Sequence, residues 1–328
     1  MSESPQALIA RAQELADDVL FPGSLEADTA EEVPHAQLQA IADAGFYGIS
    51  TQCNAATIAA IIEAFASGCL TTTFVFTQHL GACAAAYHSD GPVRDELAAA
   101  MVAGQIRGGV AFAHMLRPGT PLTTAVPTGD GWLYNGTAPW VTGWGHIDVV
   151  HAAARHNEDI VWALIDARES ATLVSTRIRF AVVDATQTEV LAYRNHVVPG
   201  SRVTKVENYE SWKARYQLGL RTNGSLALGV AARCCALLNN PVFDERLRTT
   251  RNQLNAIEPA DGAAMATARA AASLLAVDAA VALVAQTGGS AVMLSDHAQR
   301  LMREAMFVMV QGQTPAIKAE MLDQLETR

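Results

Sequence analysis

The chain has 328 residues, enough to bury a large core and more than most single compact domains contain. Its formal charge is −10 and its 23 Lys and Arg residues are scattered, which excludes an electrostatic nucleic-acid binder. Hydrophobic residues make up 50% of the sequence, yet no uninterrupted apolar run reaches the roughly 18–20 residues of a membrane helix.

The opening segment, residues 1–18, carries acids early and reads as an amphipathic helix rather than a signal peptide. A cytoplasmic protein without a membrane partner is therefore expected. From Pro5 to about Gly104 apolar residues recur at helical spacing, as at Leu8, Ala12, Leu15 and Leu20, then Leu38, Ile41 and Phe46. Further helices are predicted over Ala55–Ala66, Thr72–Tyr87 and Val93–Ala103, with breaks at Pro22-Gly23, Gly45, Gly68 and Gly91-Pro92. After Ile106 the pattern changes to short β-rich runs: Gly108–Phe112, Leu122–Val126, Gly131–Gly136, His146–Ala154, Ile160–Ile165, Arg179–Val183 and Glu189–Tyr193. Asp130-Gly131 and Asn135-Gly136 read as turns between them. Helical periodicity returns near Trp212, with four helices predicted at Asn223–Leu238, Phe243–Ala256, Ala263–Ala285 and Ala298–Thr327. The fold class expected is α+β, with an N-terminal helical domain (1–104), a middle β barrel or sandwich (105–206) and a C-terminal helical bundle (207–328).

Cys53, Cys69, Cys83, Cys234 and Cys235 form no CxxC pair and no metal-type spacing. Structural thiols in a reducing compartment and no metal site are expected.

Three stretches carry a resemblance. Gly131-Trp-Leu-Tyr-Asn-Gly-Thr-Ala-Pro-Trp140-Val-Thr142 resembles the middle-domain signature of the acyl-CoA dehydrogenases, in which a strand ends in "NG.K.W[IV]T". Gln286-Thr-Gly288-Gly289, followed by Gln299-Arg300-Leu301-Met302-Arg303-Glu304-Ala305, resembles the "GG.G…KLMRDA" stretch of the same family, with matching spacing. Val33-Pro34, Leu38, Ile41 and Gly45-Phe-Tyr-Gly follow the pattern of its second helix. Together they span nearly the whole chain and imply that family's three-part fold with a C-terminal four-helix bundle. The resemblance also implies an FAD cofactor, an acyl-CoA or similar small-molecule substrate, and a homo- or hetero-oligomer whose flavin sites cross subunits. It places Trp140 over one face of the isoalloxazine ring and the Thr142 hydroxyl at the redox-active nitrogen. Gly288 and Gly289 fall where backbone approaches the dinucleotide end of a neighbouring subunit's flavin. The residues alone also admit a core aromatic at Trp140 and a plain helix–helix turn at Gly288-Gly289.

The departures matter as much. The family's catalytic Glu, in "YEGT", falls here on Gly312 within Gln311-Gly312-Gln313-Thr314. The alternative base position on the first long helix of the last domain falls near Gly219 or Leu220, where no carboxylate stands. A thioester α-proton does not leave without a positioned base. The loop corresponding to "TEP.aGSD" is shortened to Ala113-His114-Met115-Leu116-Arg117-Pro118-Gly119. Asn240–Arg248 replaces the stretch that grips the flavin pyrophosphate, so weakened FAD binding is expected, with FMN or reduced flavin as alternatives.

His79 and His114 are the remaining acid–base candidates. His297 is expected to cap a helix or face solvent. Three functions stay open: a flavin-dependent oxidoreductase of an acyl thioester, a two-component flavin monooxygenase, and a non-catalytic subunit of a hetero-oligomer.

Overall fold

The computed structural model describes residues 3–216, 220–258 and 261–327. Helix α1 (Pro5–Leu15) starts on Ser4, whose hydroxyl accepts the Ala7 N–H, with Pro5 in its first turn. Then come α2 (Ser24–Thr29), α3 (His35–Asp43) and, past left-handed Gly45, α4 (Ile49–Gln52). Asn54 caps α5 (Ala55–Gly68), Cys69 alone separates it from α6 (Leu70–Tyr87), and α7 (Ala99–Val102) closes the helical part.

The β region is one mixed sheet: β1 (Gly108–Ala111), β2 (Thr123–Thr128), β3 (Gly131–Val141), β4 (Val149–His156), β5 (Asp159–Asp166), β6 (Leu173–Arg177), β7 (Glu189–Pro199) and β8 (Val203–Asn208). The order is β6-β7-β3-β2-β4-β5-β8, with β1 parallel to β4. Tyr134 from β3 fills the interior of this sheet, and its hydroxyl donates to the Val161 carbonyl at 2.8 Å. The carboxy-terminal helices are α8 (Tyr209–Tyr216), α9 (Leu220–Leu238), α10 (Pro241–Ala256), α11 (Gly262–Thr287), α12 (His297–Val310) and α13 (Pro315–Glu326).

Three local expectations are corrected. Arg179–Val183 is not a strand; Glu189–Tyr193 pairs with β6 on one side and β3 on the other. The Asp184 carboxylate organises residues 178–188 instead, accepting the Phe180 N–H at 2.8 Å and pairing with Arg177 and Arg179. Side-chain bonds to backbone displace a sheet ladder there. Asn135-Gly136 is not a turn but a bulge inside β3, where the register against β7 shifts. Gly136 has φ +114°, and any Cβ on it would collide with the Leu122 carbonyl. The predicted last helix is two, because Gly312 at φ +60° breaks it, Thr314 caps α13 and Pro315 opens it.

The amino- and carboxy-terminal helices share one core. α5 crosses α9 so closely that a Cβ on Gly229 would lie 2.6 Å from the Glu63 carbonyl oxygen and 2.9 Å from the Ser67 nitrogen. α11 has the length of a membrane span, and an 18-residue window within Gly262–Val292 reaches a mean hydropathy of 1.7, although Arg269 and Asp278 interrupt the sequence. Here its small side chains, Ala268, Ala272, Ala276 and Ala280, are buried in the bundle. All five cysteines are free thiols.

The atoms facing Gly229 are backbone of Glu63 and Ser67 and the Cβ of Ala66, none of which can swing aside as the end of a long side chain would. Gly229→Ala is expected to lower unfolding free energy by about 1–3 kcal/mol. Gly289→Ala, which meets nothing within 4 Å, should be nearly silent in the same urea titration.

Candidate functional site

The site grows from the end of β3. A second register shift, between Ala138 and Val141, and a backbone φ of +66° at Trp140 turn the strand at this point. A bulky residue with positive φ is strained, by roughly 1–3 kcal/mol, and persists only where its surroundings impose it. The result is an indole that is 48% exposed and lies parallel to Phe180, with ring centroids 5.6 Å apart and planes within 6°. Phe180 is held by the Asp184-centred loop.

That loop also supplies two threonines. The Thr186 hydroxyl donates to the Val183 carbonyl at 2.7 Å, so its proton is committed. Its 3.0 Å contact with Thr188 is therefore one in which Thr188 donates, and the 3.0 Å contact of Thr188 with Thr142 is one in which Thr142 donates. All three are buried. Thr142 thus offers lone pairs, not a proton, to any further partner. Backbone bonds from Gly143 N to Thr186 O (2.8 Å) and Trp144 N to Gln187 O (3.1 Å) lock the two segments together.

The two candidate histidines differ chemically. On α6, His79 accepts the Gly108 N–H through Nδ1 at 3.0 Å and packs edge-on against Tyr47. Its base nitrogen is occupied, and burial pushes its pKa down to about 3. His114, in a 3-10 turn after β1, donates Nε2–H to the Ala153 carbonyl at 3.1 Å, which leaves a buried Nδ1 lone pair without a partner. Burial lowers its pKa to about 4. Of the two, His114 alone keeps a free acceptor nitrogen. His297 neither caps α12 nor stands in solvent: Asp296 is the cap, and the ring stacks on Phe21 at 4.3 Å.

Gly288 (φ +72°) and Gly289 form an open turn after α11, with no heavy atom within 4 Å of where either Cβ would stand. Gly312 lies in the break between α12 and α13, and the space a side chain would enter there is taken by the Asn223 amide from α9. Leu220 is buried at the start of α9, while Gly219 lies outside the described residues. Arg246 pairs with Asp278, and Arg248 with Glu245. Phe180, Thr186, Thr188 and Asn223 were not identified from the sequence; the Thr186-Gln187-Thr188 run beside Glu189 was the available trace.

The chain superposes on butyryl-CoA dehydrogenase from Megasphaera elsdenii with a TM-score of 0.81 at 15% identity, covering 100% of this chain and 99% of that one. The chain has the acyl-CoA dehydrogenase fold. A glutaryl-coenzyme A dehydrogenase in its glutaryl-CoA complex gives 0.82 at 16% identity, covering 100% and 96%. The FAD complex of PigA gives 0.80 at 17% identity, covering 99% and 98%. By sequence, no family model and no curated protein matches.

Two predictions follow from these environments. His79, His114 and the buried His151, which is also lowered to about 4, are held neutral well below the ordinary 6.5. The unfolded chain then binds more protons between pH 6.5 and about 4, so stability is fully present above pH 6.5 and falls on acidification. Each histidine contributes up to about 1.4 kcal/mol per pH unit. Urea midpoints from pH 7 to 4 should show this slope, shallower in a His79→Gln/His114→Gln chain. Second, Gly312→Glu should destabilise by about 2–3 kcal/mol, from strain at positive φ plus collision with Asn223. Adding Asn223→Ala should recover roughly half of that loss in thermal denaturation.

Proposed function

We propose that this chain is a flavoprotein whose site accepts the isoalloxazine ring of FAD beside Trp140 and Thr142, and which acts on a small organic substrate of the acyl-thioester class. The observation that carries this reading is the strained, half-exposed Trp140 stacked on Phe180, next to a buried hydroxyl with unused lone pairs. A flat aromatic wall ending in a fixed polar atom suits a planar heterocycle, and the open Gly288-Gly289 backbone suits the approach of a phosphate or ribose. The FAD complex on the same fold supports the cofactor, and the butyryl-CoA and glutaryl-CoA enzymes support the substrate class. When bound, the flavin supplies a two-electron acceptor or donor. The chain's own part is to cover one ring face with Trp140, exclude water and place the Thr142 oxygen.

Base-assisted α,β-dehydrogenation is not the reading favoured. Gly312 and Leu220 carry no carboxylate, and His114, with a pKa of about 4, is a weak base. One observation favours a second reading, a monooxygenase that receives reduced flavin. The committed Thr186–Thr188–Thr142 proton chain makes Thr142 an acceptor, and an acceptor complements an N–H of reduced flavin better than the bare ring nitrogen of the oxidised form. An oligomer is also part of the proposal: Val292, Met293 and Leu294 are exposed directly after Gly288-Gly289, and a second chain covering them would lie against that turn.

The test is an absorbance spectrum after incubation with FAD and gel filtration, repeated anaerobically with reduced FAD. A flavin band retained in either state is expected, with Trp140→Ala weakening binding about tenfold. Retention only of the reduced form would select the monooxygenase reading. Retention in neither state would sink the proposal.

A further inference from the structure

The bundle contains two arginines that are almost wholly enclosed, and they are treated differently. Arg300 on α12 is met by the Glu304 carboxylate at 2.5 Å. Arg269 on α11, 1% exposed, is met by no carboxylate among the described residues. Its Nη2 donates to the Gln311 carbonyl at 3.2 Å, while Nε and Nη1 have no partner. Its charged or ionisable neighbours are Tyr216 and a second cation, Arg221. Arg221 bonds Ser225 and Asn255, and Glu63, the carboxylate acting on it, is already paired with Arg251 at 2.7 Å. Arg221 therefore leans on an acid that Arg251 already holds, and Arg269 has no acid among the described residues. An ionised group buried without a counter-charge costs several kcal/mol, so this corner of the bundle is built to receive an anion.

Its position indicates which anion. Gln311, whose carbonyl Arg269 holds, precedes Gly312 in the break between α12 and α13. Half-buried Asn223, Gln311 and Gly312 form the rim of that break. The Arg269 stem passes beside Gly224 on α9, with its Cδ 3.3 Å from where a Cβ would stand. Tyr216 then connects the corner to Phe112, at 5.8 Å between rings, and so to the turn carrying His114. We propose that Arg269, with Arg221 beside it, binds the carboxylate of the substrate, so that the acyl group accepted here ends in a carboxylate rather than a methyl. A planar guanidinium with two free donor nitrogens matches that group. The thioester half of the ligand rests on the functional reading above; the carboxylate half rests on Arg269 alone.

Calorimetry on the full chain tests it. Succinyl-CoA and glutaryl-CoA are expected to bind at least about tenfold tighter than butyryl-CoA and valeryl-CoA, the same chain lengths ending in methyl. Arg269→Met should abolish that preference and Arg269→Lys retain part of it, with circular dichroism checking the fold of each. Free glutarate bound with the same dependence on Arg269 would support the site and identify its ligand as a free acid. Absence of any charge preference in the unaltered protein, or an unchanged preference in Arg269→Met, would overturn the proposal. Flavin retention read on the same samples separates the two ideas. A charge preference without flavin leaves the carboxylate site standing and removes the flavoprotein, and flavin without the preference does the reverse.

Discussion

The contact on which the rest of the molecule depends is the crossing of α5 over α9 at Gly229. Only hydrogen atoms fit between Gly229 and the backbone of Glu63 and Ser67. That close approach lets helices from the two ends of the chain bury Ile61, Ile62, Phe65, Leu226 and Val230 in one core rather than two. With the helices fused, the sheet between them in sequence is held along one face: α6 packs on β1, and Trp212 of α8 packs on Trp162 of β5. The candidate site lies where these layers meet, and its geometry inherits their rigidity.

Within the sheet, one carboxylate has a comparable role. Asp184 takes the Phe180 N–H and two arginines, and by doing so converts an apolar-looking segment into a fixed loop. Phe180 is thereby brought parallel to Trp140, and Thr186 and Thr188 are brought against Thr142. The direction of the hydroxyl protons follows from one unambiguous bond at the far end, to a carbonyl that can only accept. A loop that looks peripheral thus sets whether Thr142 donates or accepts at the site.

Electrostatics divides the interior into settled and unsettled places. Arg300 with Glu304, and Arg303 with Asp28, are matched pairs that tie α12 to itself and to α2. His79, His114 and His151 are kept neutral by burial. Arg269 is an unmatched charge among the described residues. Its guanidinium holds the carbonyl of Gln311, the residue before Gly312.

The sequence by itself determined the order of helical and β regions, because periodicities of 3.6 and 2 are local properties that each segment carries alone. It also determined the acyl-CoA dehydrogenase fold, through the spacing of Trp140, Thr142, Gly288-Gly289 and Arg300–Ala305. Tertiary structure decided the rest. Whether Asn135-Gly136 turns or bulges depends on the Leu122 carbonyl facing it, and whether residues 179–183 pair as a strand depends on Asp184. Phe180 meets Trp140, Thr188 meets Thr142 and Asn223 fills the space at Gly312 only when distant segments converge. The isolation of Arg269 is of the same kind. A sequence shows that a charge is present, but the absence of a partner is a property of everything around it, which exists only once the chain has folded.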